Sequence, residues 1–133
     1  MNMDTASVRI HTVSSVNSYI KRILEGDTQL QRLTVRGEVS EWNYHLRTGY
    51  IFFTLKDDSG VLPCAMSRNY VQALPPQFRQ VEKGSQLLVT GHIGVYEQQG
   101  RYQFYAESIE PEGQGALYLR FEQLKSRLKA AGL

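Results

Sequence analysis

Residues 33–66 read LTVRGEVSEWNYHLRTGYIFFTLKDDSGVLPCAM, and the alternation inside this stretch decides the fold. From Leu33 to Trp42, Val35, Gly37 and Val39 fall on one side, with Thr34, Arg36 and Glu38 on the other. A period of two is the mark of a half-buried strand. Gly37, in the middle of the run, predicts a bulge or a sharp bend there. Tyr50 to Lys56 alternates in the same way, with Ile51, Phe53 and Leu55 opposite Tyr50, Phe52, Thr54 and Lys56. The aliphatic side marks the core, so Tyr50 and Phe52 are expected to face outward beside Lys56. Asp57-Asp58-Ser59-Gly60 then turns the chain, with Gly60 free to take a positive φ. In the third run Leu62, Cys64 and Met66 alternate with Val61, Pro63 and Ala65.

A long curved strand followed by a hairpin is how a five-stranded Greek-key barrel of the OB type begins. Strands 2 and 3 and the loops joining strands 1–2 and 4–5 form the ligand face of that fold. Outward Tyr50 and Phe52, flanked by Arg47 and Lys56, would make a base-stacking platform beside phosphate-binding charge. The alternative is that these aromatics pack beneath a neighbouring loop or helix. Trp42 stands where strand 1 meets the following loop. It lies either at the rim of a binding groove or packed under its own loop.

The rest of the chain fits the same plan. Val8 to Thr12 is expected to pair briefly as an edge strand, after a lead at residues 1–7. A helix near 14–25, capped by Ser14 or Ser15, carries Val16, Tyr19, Ile20, Ile23 and Leu24 as one stripe. Gly26 should end it with a left-handed cap, while Lys21 and Arg22 read as a solvated face. A short helix over Asn69 to Leu74, stopped by Pro75-Pro76, occupies the place between strands 3 and 4. Gln86 to Tyr96 and Arg101 to Ile109 supply strands 4 and 5 around a tip at Gln98-Gln99-Gly100. On strand 5, Tyr102 and Phe104 are assigned to the core and Tyr105 to the outside. The composition of 111–115 marks a linker, and the apolar spacing over 116–131 predicts a C-terminal helix. Three segments result: a lead and edge segment at 1–13, a barrel domain with its helix at 14–110, and a linker with the start of a helix at 111–133.

Bulk properties narrow the function classes. A chain of 133 residues fits one domain, and its net charge of +2 is only mildly basic. Within residues 33–68 four basic side chains meet four acidic ones, so charge alone argues weakly for nucleic acid and the aromatics must carry the case. Cys64 is the only cysteine, so no internal disulfide forms, as in a reducing cytosol. There is no membrane-spanning apolar run. His11, His45 and His92 are scattered, and Asp57-Asp58 sits in a turn, so neither a metal site nor a catalytic constellation is expected. No cofactor is implied for this stretch of chain.

Three pieces together carry a family likeness: SSVNSYIKRILEGD, VRGEVSEWNYHLRTGYIFFTLKD and GALYLRFEQLKSRLKAAGL. In this order they closely resemble the amino-terminal domain of the exodeoxyribonuclease VII large-subunit family. The resemblance implies an OB barrel related to the anticodon-binding domains of some tRNA synthetases. It further implies a bacterial cytoplasmic enzyme that degrades single-stranded DNA to oligonucleotides from either end, assembled with several copies of a small subunit. The catalytic domain would lie beyond Leu133. Phe52 matches the strand-2 aromatic that related barrels stack on a base, and Lys56 lies in the T-L-K-D piece. Pro63 and Ser67 depart from the family pattern, which often has a basic and an aromatic residue there. The candidate nucleic-acid-binding residues are Phe52, Tyr50, Lys56, Arg47, Trp42, His45, Arg36, Arg68, Tyr105 and Arg101. A single-stranded DNA module is the leading reading. An RNA reader using Asn43, His45 and Arg47, or a protein-interaction module, are the alternatives, because one barrel hosts all three.

Overall fold

The computed structural model describes residues 8–112. Its elements are α1 (Val13–Gly26), β1 (Leu33–Tyr44), β2 (Ile51–Lys56), β3 (Val61–Met66), α2 (Arg68–Gln72), β4 (Gln86–Tyr96) and β5 (Arg101–Pro111). Short 3-10 turns occupy Pro76–Arg79 and Glu97–Gln99. The strands close into a barrel in the order β1-β2-β3-β5-β4, with β3 and β5 parallel and the other pairs antiparallel. This is the five-stranded OB architecture that the alternation predicts. The expected C-terminal helix at 116–131 lies outside the described residues. Among the described residues no helix is long and apolar enough to cross a membrane.

One apolar set fills the barrel. Val39, Ile51, Phe53, Leu55, Cys64, Met66, Leu87, Val89 and Phe104 are buried on the inner face, and Val71 and Phe78 reach the same core from α2 and the 3-10 turn after it. β2 alternates as read, with Ile51, Phe53 and Leu55 inside and Phe52 and Lys56 outside. The irregularity expected at Gly37 falls instead between Val39 and Glu41, where Ser40 is the extra residue of a bulge. Its hydroxyl donates to the Thr54 carbonyl (3.4 Å). An extra residue reverses the alternation, so Trp42 and Tyr44 turn toward the core side and are half-buried.

A second bulge sits on β5, where Glu107 is the extra residue between Ala106 and Ser108, opposite Gly91 and Thr90 of β4. A Cβ at Gly91 would stand 2.1 Å from the Tyr105 carbonyl oxygen, so only glycine lets the two backbones approach here. The bulge carries Ile109 and Pro111 inward, and Pro111, expected in a linker, is a buried residue of β5. Tyr102, expected in the core, is 53% exposed. β3 pairs with β5 only at Phe104 and Tyr105, so Tyr102 lies on an overhanging end of the hairpin with no β3 residue beside it.

Local chemistry at the helix differs from the expectation. Thr12, not Ser14 or Ser15, is the N-cap: its hydroxyl accepts from the Ser15 amide (3.0 Å), and the Ser15 hydroxyl accepts from the Thr12 amide (3.0 Å). The Val8–Thr12 stretch forms no strand. Neither Gly26 nor Gly60 takes a positive φ. α1 ends at an extended Asp27, and the β2–β3 turn is held by the Asp57 carboxylate, which accepts from the Ser59 and Gly60 amides (2.9 Å each).

The lysine side of α1, expected to be solvated, is the side that grips the barrel. β1 covers the edge of β4 only as far as Gly91. Beyond it the Ile93 amide donates to the Leu30 carbonyl (2.8 Å), and the Val95 amide to the Glu25 carboxylate (3.1 Å). Asn17 Nδ2 donates to the Glu97 carbonyl (2.9 Å), and Lys21 pairs with Glu25 (3.4 Å) and Glu97 (3.8 Å). These contacts satisfy an otherwise open strand edge. The apolar stripe Val13, Val16, Tyr19, Ile20 and Ile23 is left exposed.

Two outcomes follow from this packing. Phe104→Ala, at a site with no exposure, is expected to cost about 3–5 kcal/mol in urea unfolding. Ile20→Ser, on the open stripe, should stay within about 0.5 kcal/mol of the parent. A large loss from Ile20→Ser would show the stripe packed in solution. Burial also pushes the Cys64 thiol up to about 12 from its ordinary 9.0. The folded state therefore holds the proton that the unfolded chain releases, and this contribution to stability is present below pH 9.0 and lost as pH rises toward about 12. Cys64 should react with a disulfide reagent only at the rate of unfolding, and rapid modification of the folded chain would contradict its burial.

Candidate nucleic-acid interface

The outward side of β2 carries the aromatic group. Tyr50 is 37% and Phe52 40% exposed, and their rings stack with centroids 5.8 Å apart and planes 16° from parallel. His45 meets Phe52 edge-on at 5.1 Å. The loop that brings these rings together is closed by its backbone: the His45 amide donates to the Tyr50 carbonyl (2.9 Å), and the Gly49 amide to the His45 carbonyl (2.7 Å). Gly49 has φ +78°, and a Cβ there would stand 2.6 Å from Cγ of Arg68. The first residue of α2 is thereby laid against the β1–β2 loop, next to Tyr50.

Strand register extends the face across the barrel. Asn43, Phe52, Ala65, Tyr105 and His92 are successive partners in one row across all five strands. Tyr105 stacks on His92 (5.4 Å, 19°), and its hydroxyl accepts from Gln103 Nε2 (2.8 Å). His92 is itself bonded to the Glu107 carboxylate (2.9 Å). Two aromatic groups, Tyr50–Phe52–His45 and Tyr105–His92, therefore flank small, buried Ala65. Two inter-strand steps separate them, about 10 Å. Sequence reading placed Tyr105 outside but missed His92, because only the bulged β4–β5 register sets them side by side.

The candidate cations divide into two groups. Lys56 pairs with Glu38 (3.5 Å), and Arg36 with Glu112 (2.8 Å). Arg47 and Arg68 are exposed and, among the described residues, make no ion pair. Arg101 lies over the Tyr96 ring (5.8 Å) at the far end of the β4–β5 hairpin, away from Phe52. Trp42 stands apart from the outward β2 rings. Its ring packs on Phe53 (4.7 Å), and its Nε1–H donates to the Arg79 carbonyl (3.2 Å). Among the described residues no three His, Cys, Asp or Glu side chains come together as a metal site.

This barrel, with exposed rings on β2 and nearby arginines that make no ion pair among the described residues, has the shape of a nucleic-acid-binding module. Residues 11–110 match the family model described as the OB-fold nucleic acid binding domain, and the chain belongs to that family. Among curated proteins it is 42% identical to the exodeoxyribonuclease 7 large subunit of Ruminiclostridium cellulolyticum, over 94% of this chain and 30% of that one. The large subunit of Geobacillus kaustophilus is 46% identical over 95% of this chain and 27% of its own length. The chain thus spans less than a third of these relatives. Among solved structures, the S. pombe Stn1-Ten1 complex has a TM-score of 0.54 at 18% identity, covering 76% of this chain and 72% of that one. Asparaginyl-tRNA synthetase of Pyrococcus horikoshii with asparaginyl-adenylate has 0.51 at 18%, covering 62% and 20%. Both share the fold.

Gly49→Ala tests the loop anchor. The substitution meets an unfavourable φ and the Arg68 stem together, and should destabilise the domain by more than about 1 kcal/mol in a thermal melt. An unchanged melting temperature would mean that the loop is not anchored as described.

Proposed function

We propose that this domain holds single-stranded DNA for a nuclease of the exodeoxyribonuclease VII type. The observation that carries the reading is the stacked, outward Tyr50–Phe52 pair bordered by Arg47 and Arg68, which make no ion pair among the described residues. Exposed rings accept any base by its π-face, and adjacent guanidinium groups accept any phosphate, so binding tolerates sequence. Duplex DNA keeps its bases stacked on one another and offers the platform nothing. Hydrolysis then belongs to the rest of the large subunit, as do the contacts with a small subunit, and the assembly works in the cytoplasm. Within the barrel, Tyr105 and His92 take the next base along the strand.

The test is a titration of the chain with oligo-dT, duplex DNA and a tRNA. Oligo-dT should bind in preference to duplex. Phe52→Ala should weaken it by about 1–3 kcal/mol without unfolding the domain. Arg47→Gln should lower the salt slope by roughly 0.7, the value for one phosphate contact on a single strand. Lys56→Ala should do less, because Glu38 already holds the ammonium. Preference for the tRNA would favour an RNA reader. Binding indifferent to Phe52 would remove the platform from the account.

A further inference from the structure

A second feature lies on the other side of the β1–β2 loop. Past Val39 the β4-side edge of β1 has no strand beside it among the described residues, because β4 is left behind where the Gly84 amide donates to the Val39 carbonyl (2.8 Å). The segment after α2 stands there instead, touching β1 through the Trp42–Arg79 hydrogen bond and through the Arg79 guanidinium over the Tyr44 ring (5.6 Å). Between them is an open groove of about 1060 Å³. Trp42 and Tyr44, half-buried against the core, form part of its lining.

We propose that this groove is a second nucleotide subsite, entered by the same DNA strand after it crosses His45, with Arg79 as its phosphate contact. The inference rests on the single-strand reading of the β2 platform and extends it. Three observations support it. The lining combines aromatic rings, His45, Arg79 and the side-chain amides of Gln77 and Gln80, and it includes no aspartate or glutamate, although the chain has 13 of them. Arg79 has no ion-pair partner among the described residues and is exposed, so its charge is available to a phosphate. His45 belongs to both places: it lines the groove and sets its ring against Phe52 at 5.1 Å. A strand leaving the platform past His45 reaches aromatic surface and positive charge in a groove whose lining holds no carboxylate. The amides add further groups able to hydrogen-bond base edges.

The experiment compares an oligo-dT of about four nucleotides with one of about twelve, spanning the range of site sizes for one barrel of this type. Both are titrated against the full 133-residue chain and its Arg79→Gln variant. The substitution leaves intact the backbone carbonyl that receives Trp42, and a melt confirms folding. Arg79→Gln should weaken the longer oligonucleotide about fivefold and lower its salt slope by roughly 0.7, leaving the shorter one unchanged. The emission of Trp42, the only tryptophan, should shift with the longer strand alone, in the unsubstituted chain. Equal loss at both lengths, or no loss at either with silent Trp42, overturns the subsite. In the latter case an extended peptide pairing with the open β1 edge becomes the candidate occupant. If neither oligonucleotide binds the unsubstituted chain, the single-strand reading itself fails. If the shorter one binds in a Phe52-dependent way while Arg79 and Trp42 stay silent, only the groove fails.

Discussion

β1 must pair with two strands at once: its first half with β4, through Leu33 to Glu38, and its second half with β2, through Glu38 to Tyr44. The extra residue at Ser40 marks the place where that exchange happens. Without it, Trp42 and Tyr44 would keep the parity of Glu38 and point outward, and Asn43 would point into the core. With it, Trp42 packs on Phe53 and Tyr44 reaches Arg79, so the wall behind the β1–β2 loop is built from rings. The groove beside β1 and the placement of His45 beside the β2 rings both depend on this one reversal. A bulge at the point where a barrel curls is a general device for sharpening twist and re-aiming side chains.

Charge on this surface is arranged by pairing more than by number. The two basic residues that strand alternation makes most prominent, Arg36 and Lys56, each face a carboxylate, whereas the loop and turn arginines do not. Exposed pairs of this kind are worth about 0–1 kcal/mol. They do little for the fold, and a phosphate can compete with them. Among the described residues Arg47, Arg68 and Arg79, around the β1–β2 loop, are left without such a pair.

α1 shows the same division between what a pattern permits and what packing selects. Its apolar residues recur at the spacing of a core-facing helix, yet the helix is held by Asn17, Lys21 and Glu25 on its polar flank. The reason lies in β4. Five residues of that strand extend beyond β1, and on the β1 side Ile93 finds the Leu30 carbonyl and Gln31 side chain and Val95 the Glu25 carboxylate, a need that an aliphatic stripe would not meet.

The sequence by itself determined the strands, the OB class and the inside and outside of β2. Those properties are local: a period of two survives in any context that buries one face, and Phe52 was legible as an outward ring for that reason. The turn at Asp57 was legible too, although its carboxylate and not a left-handed Gly60 holds it. Only the tertiary structure decided the fate of Trp42, Tyr102 and Pro111, and the pairing of His92 with Tyr105. Each depends on a bulge or on where a neighbouring strand stops, and a one-residue shift reverses every side chain beyond it. The ion pairs of Arg36 and Lys56 were hidden for a related reason. Glu38 comes opposite Lys56 only through the bulged β1–β2 register, and Glu112 comes beside Arg36 only across β4, and no spacing along the chain records either.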